Sequence, residues 1–154
     1  MRSVIATREC VAPMSPAQRA LCDPGMLELA EQGFKLSAIE YRQLERARDA
    51  FGRRMNGLHQ QYDLLITPQL ATTAFAAGHE VPPGSALKHW WQWSPFTYPF
   101  ILTQQPAATV PCGFAANGLP VAVQIVGAKF ADALVLRAAR AFERTHPFVL
   151  PKIP

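Results

Sequence analysis

Apolar positions in this 154-residue chain follow two rhythms, one helical and one strand-like. Tyr41, Leu44, Ala47, Phe51, Met55 and Leu58 recur at steps of three or four. That spacing draws one stripe and predicts an amphipathic helix packed by it. Ser37-x-x-Glu40 just ahead is a capping box, in which each side chain satisfies the other residue's open amide, and Gly57 is the expected stop. Asp23-Pro24 opens a shorter helix through Met26, Leu27, Leu29 and Ala30, ending near Gly33. A last helix places Ala131, Leu134, Val135, Ala138 and Phe142 inside and Arg137, Arg140 and Arg144 outside. Asp132 is its expected cap and Pro147 its stop, and acid first with arginine last suits the helix dipole.

Three runs read as strands. Residues 62–68 form a compact apolar run closed by Pro68. Residues 107–114 and 119–126 flank Asn117-Gly118, a dipeptide that accepts the positive φ angles of a tight hairpin. Pro106, Pro111 and Pro120 would interrupt a central ladder, so the pairing is expected to be short or edge-like. Residues 69–94 show no period; Trp90, Trp91 and Trp93 argue for an ordered, partly covered loop. Phe96, Tyr98, Phe100 and Ile101 predict a short helix interrupted by Pro99. Residues 1–20, with Pro13 and Pro16, read as a poorly ordered lead-in. Helices alternating with short apolar strands give an α/β layer structure.

Composition narrows the class. A 49% apolar content excludes a wholly disordered chain, and the length suits one domain burying about 70% of its unfolded surface. No apolar run approaches the roughly 20 residues of a membrane span, and the first residues lack a hydrophobic signal core. A cytoplasmic setting without membrane attachment is the expectation. Cys10, Cys22 and Cys112 make an odd, scattered set, which argues against a disulfide framework. His59, His79, His89 and His146 lie far apart in no metal-ligand spacing, so neither metal nor cofactor is expected. The net charge of +4 comes partly from arginines at 42, 46, 48, 53 and 54. Glu40, Glu45 and Asp49 share that helix and no aromatic side chains interleave, which reads as a solvated face rather than a nucleic-acid surface.

Local motifs carry little chemistry of their own. Ser85-x-x-Lys88 has the spacing of a serine–lysine pair one helical turn apart, but the companion elements of penicillin-recognising enzymes are missing. Cys112, between Pro111 and Gly113, reads as a small buried residue without a base to make it reactive. Asp63 stands where an aspartate commonly bonds local amides. The aromatic cluster Trp90, Trp91, Trp93, Phe96 and Tyr98 fits a pocket wall and a packed core equally well.

The literal string says more. Leu102-Thr103-x-x-Pro106-Ala107-Ala108-x-Val110-Pro111-Cys112-Gly113-Phe114, followed by Gly118-Leu119-Pro120-Val121 and Gln124-Ile125-Val126-Gly127, resembles the C-terminal part of amidase signature enzymes. Asp23-Pro24-Gly25, Ser37-Ala38, the Tyr62–Pro68 run and Asp132-Ala133-Leu134-Val135-Leu136 extend the similarity over residues 21–148. The A subunits of glutamyl-tRNA amidotransferases are a narrower group within the family. The resemblance implies an α/β fold, with helices packed on a mixed sheet and a hairpin, over residues 21–150. It also implies hydrolysis of linear amides by a serine, a second serine on a cis peptide, and a lysine. Phe96, Tyr98, Ile101, Thr103 and Gln105 become the expected substrate-pocket residues, with a small-molecule amide as substrate of the complete enzyme.

None of the catalytic residues can be carried over. The family sets its serines in glycine- and serine-rich loops, whereas the five serines here, Ser3, Ser15, Ser37, Ser85 and Ser94, have no such surroundings. Lys35, Lys88, Lys129 and Lys152 lack the matching strand context. The family usually reads Asn-Leu-Thr-Gly where this chain has Ile101-Leu102-Thr103-Gln104, and threonine where Gln69 stands. The expectation is therefore a C-terminal amidase portion, inactive alone, that meets an N-terminal amidase half or associates with itself. A non-catalytic interaction or scaffold protein is the alternative.

Overall fold

The computed structural model describes residues 2–149; Met1 and residues 150–154, including the last position of the expected 21–150 portion, lie outside the described residues. The single domain expected from length divides into two compact units, with the boundary between residues 50 and 51. In the first, α1 (Arg2–Val11) packs on α3 (Pro24–Lys35), with α2 (Pro16–Arg19) between them in sequence. Val11, Leu29 and Ala30 are buried, as are the glycines at 25 and 33. The Arg8 guanidinium donates to the Gly33 carbonyl at 3.3 Å and lies 5.3 Å from the Phe34 ring centre. Helices thus stand where residues 1–20 show no period. Ser15 caps α2 through a capping box with Gln18, and Asp23 caps α3 by accepting from the Met26 amide at 3.0 Å.

α4 (Ala38–Leu58) begins in the first unit and ends in the second. Its capping box is present: the Ser37 amide donates to Glu40 Oε2 at 2.9 Å and the Glu40 amide to Ser37 Oγ at 3.2 Å. Those bonds, the Ser37 amide foremost, hold the exposed Glu40 carboxyl below its ordinary value of 4.5. The cap therefore supports α4 fully above that value and is lost as the pH falls through the lowered one. The apolar stripe is present too, but no residue of α4 is buried, contrary to the packed helix that the periodicity implies.

The second unit is built on three strands, β1 (Leu64–Pro68), β2 (Ala107–Phe114) and β3 (Pro120–Gly127), in the order β1-β3-β2. Both pairings are antiparallel, so this chain contributes an antiparallel sheet to its α/β fold. The hairpin closes at Asn117-Gly118, where Gly118 has φ 78° and Asn117 Oδ1 accepts from the Leu119 amide at 3.2 Å. Proline placement follows from the order: Pro68 and Pro111 sit on outer strands and Pro120 starts the central one. A register shift between Pro111 and Gly113 leaves Cys112 opposite no partner. Cys112 is exposed there, not buried as its flanking residues suggest.

α6 (Asp132–Thr145) covers the sheet. Val110, Ile125 and Ala139 form the core, with Leu64, Ala108, Val123, Ala138 and Phe142 packed around them. Asp132 is the first residue of α6 rather than its cap; Ala131 holds that position without a side-chain bond. Gly127 ends β3 so close to α6 that a β-carbon there would sit 2.7 Å from Val135 Cγ2. Val135 is 2% exposed and β-branched, so it has nowhere to turn. Gly127→Ala is expected to destabilise the chain by about 1–3 kcal/mol in urea unfolding, although alanine is otherwise the mildest replacement.

Candidate functional site

Ser94, Thr97 and Pro99 shape the segment that frames the site. Thr97 Oγ1 donates to the Ser94 carbonyl at 3.0 Å, and α5 (Tyr98–Thr103) follows. Pro99 occupies the first turn of α5, where a missing amide costs nothing, so it starts this helix instead of interrupting it. At the far end Gln104 adopts φ 59°, the left-handed conformation that favours glycine. A residue with a β-carbon carries a conformational cost in that region, which glycine avoids. Gln104→Gly is expected to leave the fold intact and raise stability by up to about 1 kcal/mol, read as a higher denaturant midpoint.

Below this turn lies a cavity of about 590 Å³ walled by α5, the start of β2, the middle of β3 and the start of α6. Phe100, Ile101 and Phe130 supply its apolar surface, and Thr97, Gln69, Gln104, Gln105, Gln124 and Asp132 its polar surface. Among the described residues, the two non-glycine residues with positive φ, Gln104 and Phe130 at 66°, stand on this wall. Phe130 is 95% exposed at its rim.

Three polar side chains are buried here. Gln124 donates through Nε2 to Thr67 Oγ1 at 3.2 Å and to the Phe96 carbonyl at 3.1 Å, tying β3 to β1 and to the segment before α5. Thr103 Oγ1 lies 2.9 Å from the Pro99 carbonyl and 2.8 Å from Gln105 Oε1, and shares its one proton between them. Gln105 Nε2 has no hydrogen-bond partner. Gln69, on the opposite wall, accepts from Thr109 through Oε1 at 2.6 Å.

Of the five expected pocket residues, Ile101 and Gln105 line this cavity. Thr103 is buried behind Gln105; Phe96 takes part through its backbone carbonyl; Tyr98 is half-buried at the first position of α5. Sequence reading missed Gln124, Phe130 and Asp132, which only strand pairing and the turn before α6 bring to this wall. The lining residues include no serine, cysteine, lysine or histidine among those described. The wall can bind neutral polar groups beside apolar ones, and its lining has neither the serine nor the lysine of the amide-cleaving chemistry expected from the resemblance.

The remaining candidates are not drawn to this wall. Ser85 and Lys88 lie in an irregular loop, so they are not one helical turn apart. Asp63 is exposed just before β1. The tryptophan segment forms a 3₁₀ turn, Trp90–Trp93, in which Trp93 Nε1 donates to the Glu80 carbonyl at 3.1 Å and meets Phe75 edge-on at 5.7 Å. A second cavity of similar size lies under residues 68–75, beside Trp93 and the start of β3. Among the described residues no three His, Cys, Asp or Glu side chains cluster to hold a metal ion, and no helix is long and apolar enough to cross a membrane.

The chain is similar in sequence and fold to known proteins. The amidase family model matches residues 14–136. The acylamidase of Rhodococcus erythropolis is 32% identical over 85% of this chain, which covers 28% of that protein. The A subunit of the glutamyl-tRNA(Gln) amidotransferase from Thermotoga maritima is 37% identical over 75% of the chain and 24% of its own length. Among solved structures, a bacterial aryl acylamidase of the amidase signature family superimposes with a TM-score of 0.71 at 27% identity, over 95% of this chain and 31% of that one. The chain spans about a quarter of the length of these two curated relatives.

Proposed function

The chain belongs to the amidase family, and from that premise we propose that it is the C-terminal portion, residues 21–150, of an enzyme that hydrolyses linear amides. In the complete enzyme a serine attacks the amide carbonyl, the amine leaves with a proton delivered through the second serine and the lysine, and water releases the carboxylate. Those three residues belong to the part this chain does not supply. Its own contribution is the sheet core and the wall built from Ile101 and Gln105, with Thr103 behind them and Phe96 and Tyr98 leading into α5. A cytoplasmic setting belongs to the same reading.

The observation that carries the proposal is the family match over residues 14–136 on a chain whose cavity wall has no serine or lysine. Acyl transfer in this family needs an activated serine, so a chain of this composition calls for a second polypeptide or an adjoining segment. The unburied stripe of α4 is the surface best suited to meet it. The A subunit of a glutamyl-tRNA amidotransferase is the narrower version, supported by the Thermotoga maritima relative. A non-catalytic scaffold role is the second reading, favoured by the same lack of serine and lysine on the wall.

Ammonia release from simple carboxamides tests the proposal. The purified chain alone is expected to show none above background. The chain mixed with an amidase portion bearing the serines and lysine is expected to turn over. Turnover by the chain alone would overturn the view that the nucleophile lies elsewhere. Silence of every mixture, with the complex demonstrably formed, would favour the scaffold reading.

A further inference from the structure

The cavity framed by α5 and the one under residues 68–75 are each about 590 Å³, and among the described residues Gln69 alone lines both. Gln124 on the first wall and Ala122 on the second are two apart on β3, so both cavities lie over the same face of that strand. Gln69 follows β1 directly and is held by two bonds. Its backbone amide donates to the Ala122 carbonyl at 3.1 Å, and its Oε1 accepts from Thr109 at 2.6 Å. Thr109 belongs to β2, opposite Gln124, and β3 runs between β2 and β1. The Gln69 side chain therefore crosses the central strand from one flank of the sheet to the other, where the two cavities meet.

The two compartments differ in chemistry. The first sets polar side chains beside Phe100 and Ile101, whereas the second is walled by Leu70, Phe75, Trp93 and Val121 and has no charged side chain. A neutral polar head with an unbranched apolar chain matches the two in series, head in the first and chain in the second, once nothing stands between them. We propose that Gln69 sets the length of the ligand: its side chain, pinned by Thr109, bars the first cavity from the second and confines such a chain to one of them. A free glutamine side chain samples several rotamers, and the bond to Thr109 selects the one that spans β3. Gln69 is thus a specificity residue and Thr109 a positioning residue. The inference rests on the amidase reading for the ligand's being a substrate, and it concerns the reach of the apolar part, not the bond that is cleaved.

The test titrates the isotope-labelled full chain with 1-butanol and with 1-octanol. The Ile101 methyl resonances report on the first cavity and the Trp93 indole N–H on the second. Gln69→Ala is expected to tighten octanol binding at least about tenfold and to leave butanol within about twofold, because only the longer chain gains the apolar wall beyond the bar. In that variant both reporters should saturate together with octanol, its hydroxyl end near Ile101 and its methyl end near Trp93. Thr109→Val keeps the glutamine and removes the donor that pins it; octanol is expected to gain about threefold there. Equal gains for both alcohols, no gain in either variant, or no binding of either alcohol would overturn the inference. Should Gln69→Ala fail to fold, Thr109→Val, at an exposed position, decides alone. Neither alcohol has an amide to cleave, so the result stands apart from turnover. Length discrimination without ammonia release in any mixture would sustain the bar and overturn the hydrolytic reading. Turnover without length discrimination would do the reverse.

Discussion

Ile125→Ala is expected to lower the unfolding free energy of the sheet unit by about 2–5 kcal/mol, a large share of the stability of an ordinary domain. Ile125 is 3% exposed on the central strand and meets Val110 of β2 and Ala139 of α6 in the core. The surrounding Leu64, Ala108, Val123 and Phe142 belong to three strands and a helix that hydrogen bonds and turns already fix. They cannot close over the missing atoms, so the cost is lost burial plus the cavity left behind. Ile125→Val removes one methyl and should cost about 0.5–1.5 kcal/mol at the same site. Urea unfolding followed by far-ultraviolet circular dichroism measures both. An alanine variant within about 1 kcal/mol of the parent would mean that this cluster does not carry the stability of the unit.

A second large effect is expected on α4, and it should appear only in assembly. Leu44 and Phe51 lie on its apolar stripe, and both are only half-buried. Replacing both by glutamine keeps helix propensity and should change the chain's own melting by less than about 1 kcal/mol. If α4 meets the rest of an amidase, each side chain gains the remainder of its burial, worth about 1 kcal/mol apiece. The double variant is then expected to weaken association with a complementing amidase portion by about tenfold or more, measured by titration calorimetry or by the concentration needed for turnover. Undiminished association would remove α4 from that interface.

Local rules were legible in the sequence where one or two residues decide the geometry. Asn117-Gly118 marked the hairpin because few pairs accept its positive φ angles, and Ser37 with Glu40 marked a helix start because their bonds close within one turn. Gln104 stood out against the glycine usual in the resembled family, and the structure gives the cause in a left-handed backbone. What stayed hidden depends on neighbours distant in the chain. The periodicity of α4 records an apolar stripe but not whether anything covers it. Cys112 looked buried because its flanking residues are apolar, yet the bulge re-aims it. Pro99 looked like an interruption because its place relative to the helix start could not be read from spacing. The cavity wall was visible only at Ile101 and Gln105, since Gln124, Phe130 and Asp132 reach it through strand pairing and the turn before α6.

The proline on each flanking strand has a consequence for how copies of this chain meet. Pro68 removes one donor from the rim formed by β1, while Pro111 and the bulge at Cys112 break the row along β2. A foreign strand laid against either side meets a gap instead of a continuous ladder, so stacking of copies into fibrils is poorly templated. Encounters between molecules are thereby steered to the helical surfaces, which can release one another.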